Sequence, residues 1–508
     1  MDTQANSDKN QQQNGEKTTE TKPVPKDQIV ETKHAITLGG RELRYTATVG
    51  TIILKEETEK KGEKAGEFEG EKPRASIFFV AYTRDEIQDK GTFPVTFSFN
   101  GGPGSSSVWL HLGLLGPRRV LMDKEGFPLP PPYTLVNNEY SLLEHTDLVF
   151  IDPVSTGYSR ILPGEKAKEF HNFKKDIESV GDFIRLYASR YQRWSSPKFL
   201  IGESYGTTRA AGLSGYLQER HGMYLNGLML ISCILNFQTA RFGPGNDLPY
   251  ILYLPTYTAT AWYHRKLPSE LQKDLKTTLR QVEEFASGEY TLALMKGAAL
   301  SETERKKIIQ KLSRFTGLSE DYIDRTDLRI GIHRFVKELL RDERRTVGRL
   351  DSRFKGIDRD SAGELYEHDP SMSAIMGPYT ATLNDYVRST LRFESDLPYE
   401  ILTGRVQPWS FSDHENQFVN VAETLRKAMS MNPHLRVFVA NGYYDFATPY
   451  FATEYTFTHL GLDPALQKNI SMSYYEAGHM MYIHLPSLVQ MKSDLAEFAR
   501  GSLSNTRE

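Results

Sequence analysis

The sequence predicts an α/β chain, with a mostly parallel central sheet covered by helices on both faces and a helical cap inserted into it. Two observations predict this. Short apolar runs alternate with amphipathic stretches up to about residue 240, the pattern of buried parallel strands joined by helices. The period then becomes helical and highly charged, and strand character returns only near residue 435. A sheet interrupted by a helical insertion is the simplest account of both.

Taken in order, residues 1–30 are poor in apolar residues and rich in Gln, Lys and Asn, which predicts a disordered tail. Alternation at Arg44-Tyr45-Thr46-Ala47-Thr48-Val49 and again at Ser76-Ile77-Phe78-Phe79-Val80 predicts a long hairpin. The densely charged stretch Lys55 to Arg74 between its arms is expected to be a solvated loop. Val95–Phe99, Asp147–Ile151, Lys198–Ile201 and Leu228–Leu235 read as buried strands, and Phe173–Tyr191 as an amphipathic helix. Ser301 and Glu304 form a capping box ahead of Ile308, Ile309, Leu312 and Phe315. Leu435–Ala440 and Ile470–Tyr475 are the returning strands. The expected organisation is tail 1–30, core 31–240, helical cap 241–385 and core 386–508.

Composition narrows the function classes. Of 508 residues, 39% are hydrophobic and 11% aromatic, enough for a sizeable core. Lys and Arg number 62 against 65 Asp and Glu, a net charge of −3 that gives no electrostatic footprint for nucleic acid. Cys233 is the sole cysteine, which excludes an intrachain disulfide and a cysteine-based zinc cluster. The uncharged run His221 to Ala240 is broken by Asn226, Gly227, Asn236 and Gln238, so its centre reads as a buried strand and no transmembrane helix is expected. No secretory signal follows Met1. The compartment therefore stays open between cytoplasm and, were a leader removed, periplasm or secretion. Oligomeric state is not legible.

The strongest local signal is Gly202-Glu203-Ser204-Tyr205-Gly206, directly after an apolar strand and before a helical stretch. A serine hydroxyl is a weak nucleophile, and such a strand–turn–helix elbow lifts it to where a base can reach it. In the α/β-hydrolase arrangement the acid and then the histidine follow on loops after late strands. Asp445 in Asn441-Gly442-Tyr443-Tyr444-Asp445 and His479 in Glu476-Ala477-Gly478-His479 stand there. Asn100-Gly101-Gly102-Pro103-Gly104-Ser105-Ser106-Ser107, at the end of a strand, lacks the Gly-Lys-Ser/Thr of a phosphate loop and fits better as a source of N–H donors for an oxyanion. No cofactor motif stands out. Glu367-His368-Asp369 and His484 lack metal-site context, so no metal or cofactor is expected.

These four motifs, in this order and spacing, resemble the serine carboxypeptidases, peptidase family S10, over about residues 75–240 and 380–490. The resemblance implies Ser204 as nucleophile, His479 as base, Asp445 as its orienter, and the backbone N–H groups of Gly102 and Tyr205 as oxyanion hole. It implies Asn100, Gly101 and Glu203 as the site for a peptide's free C-terminal carboxylate, with peptide or protein C-termini as substrates. On the same scaffold, an esterase or acyltransferase and a non-catalytic peptide-binding protein are the alternatives.

Two departures from the family stand out. Ser105 replaces the usual cysteine of the glycine loop and the disulfides are missing, which resembles a bacterial branch. The family's glutamate in an E-L-G-P-like segment is absent from Leu114-Leu115-Gly116-Pro117-Arg118-Arg119. Glu203 is therefore expected to lack a carboxylate partner, with Arg118, Arg119 or Arg209 supplying positive charge and a weaker preference for acid.

Overall fold

The computed structural model describes residues 26–503. Its centre is a ten-stranded mixed sheet. Three antiparallel strands, β1 (Gln28–Leu38), β2 (Arg41–Glu59) and β3 (Phe68–Arg84), form one side. A two-residue strand, Arg160–Ile161, pairs with β3 at its far end. The parallel part comprises β4 (Val95–Phe99), β5 (Asp147–Ile151), β6 (Lys198–Ser204), β7 (Gly227–Cys233), β8 (Arg436–Gly442) and β9 (Ile470–Tyr475). The order across the sheet is β1-β2-β3-β5-β4-β6-β7-β8-β9.

Strand alternation divides the core between the two faces of the sheet. Phe199 and Ile201 of β6, Met229 and Ile231 of β7, and Phe438 and Ala440 of β8 belong to one apolar cluster. Leu200, Leu228, Leu230, Val437 and Val439, the intervening residues, belong to the other. This second face is covered by α1 (Phe173–Arg190) and α2 (Tyr205–His221). The insertion contributes α3 (Leu248–Tyr263), α4 (Leu275–Phe285), α5 (Glu302–Thr316), α6 (Ile332–Glu338) and α7 (Pro370–Asp385). Beyond it lie α8 (Ala422–Met431), α9 (Tyr450–Thr458) and α10 (Leu485–Gly501), with a single short turn of helix at Pro464–Gln467 between the last two. The capping box at Ser301 and Glu304 forms as expected. Among the described residues no helix is long and apolar enough to cross a membrane.

Two expectations are corrected. Strand β1 begins at Gln28, inside the segment read as tail, and pairs with β2 from Gln28 opposite Thr51; residues 1–25 lie outside the described residues. Its outer half alternates between exposed and half-buried positions, so it carries little apolar signal. The charged stretch 55–74 is mostly ladder rather than loop: β2 and β3 stay paired out to Glu59 opposite Phe68. Cross-strand pairs such as Lys55 with Glu71 at 3.0 Å replace apolar packing where this ribbon projects into solvent.

The insertion divides by packing. Residues of α3, α4, α5 and α6 share one apolar cluster that also takes in Tyr443, Tyr444, Phe446 and Tyr450 from the loop after β8 and the start of α9. Helix α7 instead joins the cluster of the sheet through Ile375, Tyr379 and Leu383.

Candidate active site

Strand β6 runs into Ser204 and α2 begins at the next residue. Ser204 holds φ 61° and ψ −129°, a conformation costly for a residue with a side chain and typical of a sharp elbow. The turn has no room at Gly202, where a Cβ would stand 2.1 Å from the carbonyl oxygen of Gly206. The Thr207 hydroxyl donates to the Ser204 carbonyl at 2.7 Å and accepts from the Ile234 N–H at 2.9 Å, tying the elbow to the chain beyond β7. The helix N-terminus behind Ser204 presents free N–H groups and a positive dipole end.

The glycine loop lies against this elbow. A Cβ at Gly101 would reach within 2.5 Å of the Tyr205 nitrogen, so only glycine lets the two segments meet. The loop is pinned from three sides. Ser107 donates through both its N–H and its hydroxyl to Asp152, each at 2.8 Å. Ser105, where the family has cysteine, accepts from the Trp109 indole at 2.8 Å, while Ser106 N–H donates to the Ile401 carbonyl at 2.9 Å. Arg209 completes the set: it pairs with Asp176 at 2.9 Å and donates to the Asn100 carbonyl at 2.5 Å.

Asp445 and His479 stand after β8 and β9. Nδ1 of His479 donates to Oδ2 of Asp445 at 2.7 Å. The same oxygen accepts the Thr448 hydroxyl at 2.7 Å, and Oδ1 accepts the N–H groups of Ala447 and Thr448 at 2.7 and 3.2 Å. Both carboxylate oxygens are thus fixed. The histidine is held through its backbone as well: its N–H donates to the Leu350 carbonyl at 2.7 Å and its carbonyl accepts from Ser232 at 2.6 Å. Asp351, ion-paired to Arg353 at 2.7 Å, accepts from the Gly478 N–H at 3.0 Å. Burial pulls the imidazole pKa down, but the charge and hydrogen bond of Asp445 outweigh it, and His479 ends above its ordinary value.

Ser204, His479, Asn100, Gly101, Gly102, Glu203 and Tyr205 all line one cavity of about 1030 Å³, with Asp445 buried behind His479. Trp109 and Met480 of the core line it too, with Phe242, Tyr250, Tyr253, Met372 and Ile375 from the insertion.

Glu203 does have a partner, and it is neither a carboxylate nor an arginine. The buried Tyr482 hydroxyl donates to Glu203 Oε2 at 2.5 Å. Burial pushes the Glu203 carboxyl up to about 7, against the His479 charge and the Tyr482 hydrogen bond, which favour the ionised form. The Asn100 amide faces both groups: its Oδ1 accepts the Leu110 N–H at 3.1 Å, and its buried Nδ2, without a well-formed hydrogen bond among the described residues, acts on Glu203 and on Tyr482.

The expectation for the arginines is corrected. After Pro117 the chain turns into a short strand paired with Leu135–Asn137. There Arg118 donates to Asn137 at 2.7 Å and Arg119 pairs with Glu139 at 3.3 Å, and neither lines the cavity. Arg209 is committed to Asp176. Sequence reasoning missed Tyr482, Asp351 and Arg353. The available signal for the tyrosine was its place three residues after His479. Asp369 caps α7 by accepting the Ser371 N–H at 3.0 Å, and His484 bonds Ser487 at 2.8 Å. Among the described residues no cluster of three or more His, Cys, Asp and Glu is placed to hold a metal ion.

Sheet, elbow and late-loop acid and histidine together define an α/β-hydrolase. The comparison with known proteins narrows this class. The family model for serine carboxypeptidases matches residues 57–484, and the chain belongs to that family. A solved structure of the prohormone-processing carboxypeptidase KEX1 from Saccharomyces cerevisiae shares the fold, with a TM-score of 0.52 at 16% identity over 90% of this chain and 92% of that one. In sequence, the chain is 32% identical to yeast pheromone-processing carboxypeptidase KEX1 over 135 residues, 25% of this chain and 17% of the relative. It is 34% identical to carboxypeptidase Y homolog A of Talaromyces stipitatus over 119 residues, 23% of this chain and 19% of the relative. These alignments therefore span less than a quarter of either relative's length.

Proposed function

We propose that the protein is a serine carboxypeptidase that releases C-terminal residues from peptides through an acyl-enzyme. The observation that carries this reading is the buried Glu203 carboxyl beside the elbow serine, mostly protonated below about pH 7. With Oε2 occupied as an acceptor by Tyr482, the proton is left to the other oxygen, which can donate to a substrate carboxylate. Asn100 Nδ2 and the Gly101 backbone supply further donors.

The reaction follows from the groups present. His479 takes the Ser204 hydroxyl proton as Oγ attacks the scissile carbonyl, and Asp445 steadies the imidazolium. The Gly102 and Tyr205 N–H groups receive the negative charge, each such donor contributing roughly 10²–10³ in rate. His479 then protonates the departing amine, and water, activated by the same base, hydrolyses the acyl-enzyme. Family membership and family-typical motifs support this over an esterase, acyltransferase or binding role.

The test uses two N-blocked dipeptides that differ only at the C-terminus, one a free acid and one an amide. Cleavage of the acid alone, reduced about 10⁴-fold or more in Ser204→Ala, is expected. Equal cleavage of both would mean that the carboxylate is not read and would overturn the proposal.

A further inference from the structure

The cavity above Ser204 carries positive charge that the reaction does not use. Arg241, Arg329, Arg334 and Arg349 all line it. Two are neutralised in place: Arg329 grips Asp247 through two hydrogen bonds at 2.7 and 2.8 Å, and Arg334 pairs with Glu364 at 3.1 Å. The guanidinium groups of Arg241 and Arg349 make no ion pair or hydrogen bond among the described residues. That of Arg241 lies over the Phe237 ring, 5.8 Å from its centre. Arg349 has a carboxylate close by, but Asp369 is spent on backbone N–H groups, including that of Arg349 itself at 3.0 Å, and on Ser371.

Both free charges bear on one spot. Tyr253 lines the cavity beside them: burial raises its hydroxyl pKa, the guanidiniums of Arg349 and Arg241 oppose that rise, and the Asp445 charge reinforces it. Arg349 also acts on His479, and Glu203, next to Tyr482 and Tyr379, acts on the same imidazole. Arg349 is half-buried and Arg241 exposed, so water screens Arg349 less and a counter-ion gains more there than at Arg241.

We propose that Arg349 and Arg241 form a subsite for a carboxylate side chain on the substrate residue that precedes the scissile bond. The assignment rests on the carboxypeptidase reading: with the terminal carboxylate at Glu203, the residue donating the acyl group lies across Ser204, along the cap wall. A glutamate there supplies the missing counter-ion, and the planar guanidinium of Arg349 suits two parallel hydrogen bonds to it.

The experiment compares N-blocked peptides ending in Glu-Ala and Gln-Ala, with a control pair ending in Ala-Glu and Ala-Gln. The wild type should favour Glu-Ala over Gln-Ala by roughly tenfold in kcat/KM, the scale of a charge-assisted pair. Arg349→Met should bring that ratio towards one, Arg241→Met should lower it in part, and Arg349→Glu should shift preference to Lys-Ala. Equal rates in the wild type, a preference confined to the control pair, or a ratio that survives both methionine variants would overturn the proposal. Cleavage of none of the four peptides would remove the carboxypeptidase reading instead. Titration of Glu-Ala and Gln-Ala peptides into Ser204→Ala then still decides the subsite: tighter binding of the acid supports it, and equal binding overturns it.

Discussion

At the scale of single residues, Glu203 and Tyr482 set how the pocket responds to pH. A carboxyl that titrates at about 7 donates a proton below that value and repels a substrate carboxylate above it. KM for free-acid peptides should therefore rise as pH passes 7, while the weak binding of the matching amides to Ser204→Ala stays level. Glu203→Gln should abolish this limb. Tyr482→Phe removes a hydrogen bond that favours the ionised carboxylate, so the limb should move to higher pH. An alkaline limb unmoved in both variants would separate Glu203 from carboxylate recognition. The family's paired carboxylates are thus not needed to raise this pKa; burial does so here.

At the scale of elements, the glycine loop, α1 and α2 are held together by one buried ion pair. Asp176 of α1 and Arg209 of α2 are both almost fully buried, and Arg209 alone reaches the Asn100 carbonyl. Asp176→Ala would strand a buried guanidinium, and a loss of about 3–5 kcal/mol in denaturant unfolding is expected. Adding Arg209→Met should recover stability without restoring activity, because the loop stays untethered; full recovery of both would deny the tether its role. What was legible in the sequence follows the same physics. The strands β4 to β7 are buried almost throughout and read as short runs rich in apolar residues, and the elbow betrays itself by glycines that no other residue can replace. Strand β1 was illegible because edge position and solvent leave it with polar alternation. Beyond its place near His479, nothing in the sequence marked Tyr482, because its partner lies 279 residues away and only the folded chain brings the two together.

For the whole molecule, cap and core share a seam. Phe446, next to Asp445, is buried against Tyr257 and Phe335, at ring distances of 5.4 and 5.5 Å. Phe446→Ala should cost about 3–5 kcal/mol, lower a single unfolding transition and reduce kcat in step with it. A separate early transition that leaves activity intact would show that the cap melts independently.

The segment 349–353 has a consequence for anyone recombining this scaffold. Arg349 faces the cavity, the Leu350 carbonyl holds the His479 backbone, and Asp351 with Arg353 fixes Gly478. Four of these five consecutive residues thus either line the cavity or hold the catalytic base in place. A chimaera that imports a foreign cap with its junction placed before residue 349 keeps the native support of the catalytic base. One that cuts after residue 353 exchanges that support along with the lid, and its lost turnover would be misread as a failure of specificity.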